Sequence, residues 1–148
     1  MIMISIPINI LLVDDEKDFV EMLSLRLTEK KESVFLANNG KECLEIIEKE
    51  SIDVIILDLK MPGMDGIQTL KKIKAKSPLI EVIMLTGHGT AETAVDGMKL
   101  GAFDYLLKPC DFDTLVQKLN AARKRKEDQE ERIRQAEAKL LLRRSGVI

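Results

Sequence analysis

Residues 54–66 read Val54-Ile55-Ile56-Leu57-Asp58-Leu59-Lys60-Met61-Pro62-Gly63-Met64-Asp65-Gly66. Four aliphatic residues in a row, with no polar alternation, predict a strand buried on both faces, as in a parallel sheet. The run ends on a carboxylate, Asp58, and breaks at once into a loop rich in Pro and Gly. Open α/β sheets carry their functional crevice outside the carboxyl ends of the strands. Asp58 therefore stands at the mouth of such a crevice by position. The function depends on what meets it there.

Four more strands are legible around this one. Ile8 to Val13 is a second aliphatic run that leads straight into Asp14-Asp15-Glu16. Ser33–Ala37 and Glu81 to Leu85 read as further strands, the latter ending at Thr86. Asp104 to Leu107 is the last and is closed by Lys108-Pro109. Helical periodicity fills each gap: Phe19, Met22, Leu23 and Leu27; Leu44 and Ile47 behind an Asn39 cap with Glu42 three residues on; Ile67, Leu70 and Ile73 up to Ser77-Pro78. Ala91, Ala94, Val95 and Met98 then share one face of a helix that Gly101 ends, and Asp111 caps a helix with Phe112, Leu115, Val116 and Leu119. Five strands alternating with five helices predict a parallel sheet in an α/β/α three-layer sandwich, built by right-handed crossovers.

The last helix does not stop with the domain. From Ala121 to about Arg144 there is no Pro or Gly. Arg123–Glu127, Lys124–Asp128, Lys126–Glu130, Asp128–Arg132 and Glu130–Arg134 are opposite charges four residues apart. The expected division is a domain over residues 1–122 and a charged helical tail over 123–148. Positions 119, 122, 126, 129, 133, 136 and 140 follow a 3-4 repeat, but Lys126 and Gln129 interrupt it, so the heptad seam is poor.

Charge is uneven: residues 1–110 hold 13 Lys/Arg against 18 Asp/Glu, and residues 111–148 hold 10 against 7. An acidic main domain argues against a nucleic-acid surface there. The basic run Arg123-Lys124-Arg125-Lys126 is followed at once by acids, which fits a solvated, salt-bridged helix. No apolar run approaches the roughly 18 residues of a membrane span. The opening Met1-Ile2-Met3-Ile4-Ser5-Ile6-Pro7 lacks a basic region and a cleavage site, so no signal peptide is expected. Cys43 and Cys110 show no metal-ligand spacing and read as reduced packing residues of a cytoplasmic protein.

Four strand ends now send polar groups to one edge: Asp14 and Asp15, Asp58, Thr86 and Lys108. Crowded carboxylates repel, and a hard cation with oxygen ligands relieves them. Mg²⁺ uses few protein carboxylates and keeps waters that a phosphate displaces. Beside Mg²⁺ and a lysine, Asp58 is a competent nucleophile for a phosphoryl group. Thr86 would hydrogen-bond a phosphoryl oxygen and Lys108 would offset its charge.

Asp14/Asp15, Asp58 with Met61-Pro62-Gly63-Met64-Asp65-Gly66, Thr86-Gly87, Tyr105 and Lys108-Pro109 together resemble the response-regulator receiver domain of two-component signalling, over residues 8 to about 122. The resemblance implies a flavodoxin-like sheet of order 2-1-3-4-5, and Asp58 as phosphoacceptor from the phosphohistidine of a sensor histidine kinase. It implies Mg²⁺ on Asp15 and Asp58, with Asp14 supporting through water and the Lys60 backbone carbonyl completing the shell. Thr86 and Tyr105 match the family's switch pair, and Lys108 matches its phosphate-contacting lysine, before a proline the family holds cis. Residues 85–94 and 101–109 look most like receivers of the nitrogen-regulatory class, which often precede an AAA+ ATPase and a DNA-binding domain. These 148 residues contain no GxxxxGK[ST] loop. The output expected is a homodimer through helix four, strand five, helix five and the tail, strengthened by phosphorylation; the alternative is a constant, monomeric helix with no switching role.

Simpler readings stand beside these. An Asp-Asp pair after a strand is often a helix cap, Asp65 reads as a cap rather than a ligand, and His88, the one histidine, reads as a solvated loop residue. Tyr105 on its own is equally a core aromatic. A phosphohydrolase with an aspartyl-phosphate would use the same chemistry, but the haloacid-dehalogenase type needs Asp-x-Asp and Asp58-Leu59-Lys60 has Lys in the second place. A structural helical adaptor is the third alternative, in which Asp58 would be dispensable.

Overall fold

The computed structural model describes residues 6–60 and 65–146, so Met61-Pro62-Gly63-Met64 of the expected loop and most of the opening segment lie outside the described residues. Its elements alternate strictly: β1 (Asn9–Val13), α1 (Lys17–Glu29), β2 (Ser33–Ala37), α2 (Gly40–Lys49), β3 (Val54–Leu57), α3 (Gly66–Lys76), β4 (Glu81–Thr86), α4 (Ala91–Lys99), β5 (Asp104–Leu107) and α5 (Phe112–Arg144). The strands form one parallel sheet in the order β2-β1-β3-β4-β5. That is the flavodoxin-like arrangement expected from the sequence.

Alternate residues of each central strand feed opposite cores, because side chains leave a strand on alternating faces. Leu11, Val13, Ile55, Leu57, Val82 and Met84 pack with Cys43 and Ile47 of α2 and Leu70 and Ile73 of α3. Ile10, Leu12, Val54, Ile56, Ile83 and Leu85 pack with Leu23 and Leu27 of α1 and Leu115, Leu119 and Ala122 of α5. Both faces of β1, β3 and β4 are covered, which is why their sequences carry no polar alternation.

Capping follows the sequence closely. The Asn39 side chain accepts from the Glu42 amide (2.9 Å), and the Glu42 carboxylate accepts from the amide of Asn38 (2.6 Å). Asp65 caps α3 by accepting from Gln68 N (2.8 Å), and Asp111 caps α5 by accepting from Thr114 N (3.1 Å). The apolar positions of α4 behave differently. Its buried residue is Gly97, where a side chain would collide with Met84 of β4, while Val95 and Met98 are 52% and 46% exposed. The shared apolar face of α4 therefore faces solvent, and the helix lies close to the sheet through a residue that has no side chain.

α5 runs unbroken for 33 residues, about 50 Å at about 1.5 Å per residue. Its side chains are exposed from Glu131 to Arg144. Among the described residues, Arg123–Glu127, Lys124–Asp128 and Lys126–Glu130 are in ion-pair range at 3.5, 3.2 and 3.4 Å. Arg134 pairs instead with Glu131 (2.6 Å), and Arg132 donates to Gln129 (2.9 Å). Among the described residues no helix is long and apolar enough to cross a membrane.

Candidate functional site

The sheet's backbone ladder continues one bond past the strand ends, and those bonds place the functional side chains. Asp14 N donates to Ala37 O (3.2 Å), Asp58 N to Val13 O (2.9 Å) and Lys108 N to Thr86 O (2.8 Å). Asp14, Asp58, Thr86 and Lys108 are thereby held at one edge by the backbone bonds of the sheet. The Lys108–Pro109 peptide bond is cis. Gly66 N donates to Leu59 O (2.7 Å), and a Cβ on Gly66 would meet Asp58 O at 2.5 Å. Only glycine permits that approach, so Gly66 fixes where the Asp58 strand end turns.

Asp58 is 2% exposed and Asp14 5%. Lys108 Nζ donates to Asp14 Oδ2 at 2.7 Å and lies 3.5 Å from Glu16 Oε1 and 3.9 Å from Asp58 Oδ2. The other Asp14 oxygen accepts from Glu16 N at 2.9 Å. Asp58 Oδ1 is buried with no hydrogen-bond partner among the described residues. Burial pushes the Asp14 carboxyl above its ordinary range, against the pull of its Lys108 and Glu16 contacts. Burial also disfavours the Lys108 ammonium, but the bond to Asp14 and the charges of Asp14, Asp58 and Glu16 outweigh it, so its pKa is raised. One lysine serves three carboxylates, and the group remains short of positive charge.

Ligand atoms of Asp14, Glu16 and Asp58 lie within 4.8 Å of one another. Glu16 was not among the nominated site residues; it follows Asp14 and Asp15 directly in sequence, and that adjacency was the signal for it. Asp15 and Lys60 are exposed, and Asp15 lies outside that close group of three. The orphaned Asp58 oxygen beside two more carboxylates is the donor set of a hard divalent cation, so the residues present fit Mg²⁺. A second feature invisible to strand-end reasoning is Phe19, whose ring lies under the Lys108 ammonium at 4.1 Å.

Thr86 is fully buried, and its hydroxyl accepts from His88 N at 3.1 Å. Tyr105 is half-buried, with its hydroxyl 3.3 Å from Thr93 Oγ1, inside the capping box that Thr90 and Thr93 form at the start of α4. Among the sequence-nominated residues, Asp14, Asp58 and Lys108 meet in one contact group, Thr86 sits on the adjoining strand end, and Tyr105 lies against α4. Asp65 caps α3, as its simpler reading has it. Cys43 and Cys110 are free thiols; Cys43 is fully buried, which pushes its pKa up to about 12.

Comparison with known proteins agrees with this geometry. The family model described as the response regulator receiver domain matches residues 10–120. The transcriptional regulatory protein ZraR of Escherichia coli strain K12 is 44% identical over 115 residues, covering 78% of this chain and 26% of that protein. A response regulator NtrX-like protein of Rickettsia bellii is 40% identical over 111 residues, 74% of this chain and 23% of its own length. These relatives agree with the nitrogen-regulatory likeness read from residues 85–109, and the chain spans about a quarter of their length. Among solved structures, a CheY-like receiver domain protein from Methanospirillum hungatei superposes with a TM-score of 0.80 at 28% identity, covering 83% of this chain and 98% of that one.

Proposed function

The chain belongs to the response regulator receiver family, and from that premise we propose that Asp58 accepts a phosphoryl group from the phosphohistidine of a sensor histidine kinase. The observation that carries this reading is the buried Oδ1 of Asp58, without a partner among the described residues, with Lys108 3.9 Å from its other oxygen. A carboxylate used only for structure has its oxygens satisfied. One left bare in a cleft is available as a nucleophile.

The residues then divide the work. Asp58 presents its oxygen for in-line attack and its burial keeps water from competing. Lys108 offsets charge on the transferred group, and the Thr86 hydroxyl hydrogen-bonds one of its oxygens. Asp14, Asp15, Asp58 and the Lys60 carbonyl, with Glu16 as a further acid, would hold Mg²⁺. The bound ion supplies positive charge against the phosphoryl oxygens. The chain acts in the cytoplasm as a signalling switch whose only chemistry is its own phosphorylation and dephosphorylation, not as a metabolic enzyme.

The output rests on Tyr105 and α5. Drawing Thr86 toward the phosphoryl group vacates space beside Tyr105, and Tyr105 is already linked to the cap of α4. Residues 1–122 form the receiver unit, and 123–148 the helical tail that carries the signal. The exposed Val95 and Met98 of α4 and Leu107 of β5 support a homodimer through α4, β5, α5 and the tail, with no direct nucleic-acid contact and no membrane association. Acetyl phosphate with Mg²⁺ is expected to label one residue, with label removed by hydroxylamine and absent in Asp58→Asn. Label persisting in Asp58→Asn at the wild-type level would show a different nucleophile. Light scattering with and without beryllofluoride tests the dimer: equal molar mass in both states removes the tail from the switch.

A further inference from the structure

Lys108 faces two demands that conflict. At rest its strongest contact is the 2.7 Å bond to Asp14, while Asp58 is 3.9 Å away. To meet a phosphoryl group on Asp58 the ammonium must leave that bond and shift across the cleft. Hydrogen bonds resist such a shift because they are directional. The face of an aromatic ring attracts a cation without fixing it to one acceptor. Phe19 supplies that face at 4.1 Å from Lys108 Nζ.

Phe19 is itself well held. It lies in the first turn of α1, just after Glu16, and packs against the core formed with Leu23, Leu85 and Leu115. The Lys108 side chain is only 11% exposed, so little water competes for its charge and the ring's attraction is strengthened. An aliphatic residue there would fill the same apolar space but offer no negative face.

We propose that Phe19 is a positioning residue for phosphoryl transfer: its ring is the floor on which the Lys108 ammonium moves from Asp14 toward the phosphoryl group on Asp58. This rests on the reading of Asp58 as phosphoacceptor. In the step itself, an Asp58 carboxylate oxygen forms a bond to phosphorus as the bond from phosphorus to the acetate oxygen breaks. The electron pair departs with acetate; no proton transfer or redox partner is required.

The test compares wild type, Phe19→Leu and Phe19→Tyr with acetyl phosphate and Mg²⁺. Phe19→Leu is expected to slow labelling of Asp58 roughly tenfold at saturating acetyl phosphate, and Phe19→Tyr to restore it. The thermal shift caused by Mg²⁺ is expected to be the same in all three. A second readout needs no chemistry: in wild type the Lys108 ε-methylene protons should resonate upfield, shielded by the ring, and Phe19→Leu should return them to the ordinary lysine position. Equal labelling rates in wild type and Phe19→Leu overturn the proposal alone. So does an unshifted Lys108 signal in wild type, which holds even if Phe19→Leu misfolds. A wild-type protein that takes no label at Asp58 fails the phosphoacceptor reading, and the proposal falls with it.

Discussion

Carboxylates lie at both edges of this sheet, and the two edges treat them differently. At the amino edge Glu81, 5% exposed, accepts a bidentate bond from Arg125 through Nε and through Nη2 (2.9 Å), and is 3.3 Å from Lys74 Nζ. Asp53 beside it accepts from Asn9 N (2.9 Å) and pairs with Lys126 (3.3 Å). Here two acids meet three cations and a backbone amide. At the carboxyl edge Asp14, Glu16 and Asp58 share Lys108, and one buried oxygen of Asp58 has no partner among the described residues. The amino edge is a finished ionic network that ties the root of the tail to the sheet. The carboxyl edge is an unfinished one, and on the proposed function its deficit of positive charge would be met by a cation and used by a phosphoryl group.

The contrast is broken most directly by neutralising one acid at each edge. Glu81→Gln leaves Arg125 and Lys74 without their counter-charge and is expected to cost about 3 kcal/mol, the low end for breaking a buried pair because Arg125 still reaches water. Asp58→Asn relieves a crowded acid and is expected to stabilise by on the order of 1 kcal/mol, as at sites where activity and stability conflict. Urea unfolding of both variants gives the signs. Destabilisation by Asp58→Asn would mean that the carboxyl edge is as complete as the other.

Mg²⁺ separates the edges next. Wild type is expected to gain RT ln(1 + [Mg²⁺]/Kd), about 2.7 kcal/mol at a hundredfold excess over Kd. Asp58→Asn should lose the gain and Glu81→Gln should keep it. Asp15→Asn is expected to remove most of it, on the assignment that family likeness implies. A response that survives Asp15→Asn but not Glu16→Gln would give the third position to the residue gathered with Asp14 and Asp58.

Cys43 sharpens the comparison from between the edges, since it is a buried titratable group that stays neutral. Its pKa rises from an unfolded value of 9.0 to about 12 because burial penalises the thiolate. Above pH 9 the unfolded chain releases a proton that the native chain keeps, so stability falls as pH rises toward 12. The slope from this one site is about 1.4 kcal/mol per pH unit. Cys43→Ala should flatten the alkaline limb of a stability–pH curve by that amount; an unchanged limb would refute the burial argument.

The carboxyl edge was legible in the sequence and the amino edge was not, for a physical reason. Asp14, Asp58, Thr86 and Lys108 each follow an aliphatic run directly, so the run that predicts the strand also locates the side chain. Glu81 begins its strand and reads as an ordinary charged boundary. Its partners Lys74 and Arg125 are seven and 44 residues away, and no local pattern joins them. Phe19 was visible as a helical core position, but its second face, toward Lys108, depends on a contact between residues 89 positions apart that no local pattern joins. The outward face of α4 was missed because Gly97, the residue that lets the helix approach Met84, carries no hydrophobic signal of its own.

The smallest effect comes from the tail, where the same chemistry as at Glu81 recurs without burial. Arg134 donates to Glu131 Oε2 through both Nε (3.1 Å) and Nη2 (2.6 Å), the same two donors that Arg125, nine residues earlier on the helix, spreads over both oxygens of Glu81. That pairing lowers the Glu131 pKa and raises that of Arg134, yet both groups are fully exposed. Water already solvates each partner, salt screens the pair, and holding two long side chains in one geometry costs entropy. Arg134→Gln is therefore expected to leave the thermal midpoint within error at both low and high salt. Arg125→Gln, which leaves the buried Glu81 with Lys74 as its one remaining cation, should lower it clearly at both. Equal shifts from the two substitutions would show that the tail shares the domain's stability along its whole length, and that what distinguishes the two arginines is not the burial of the acid they reach.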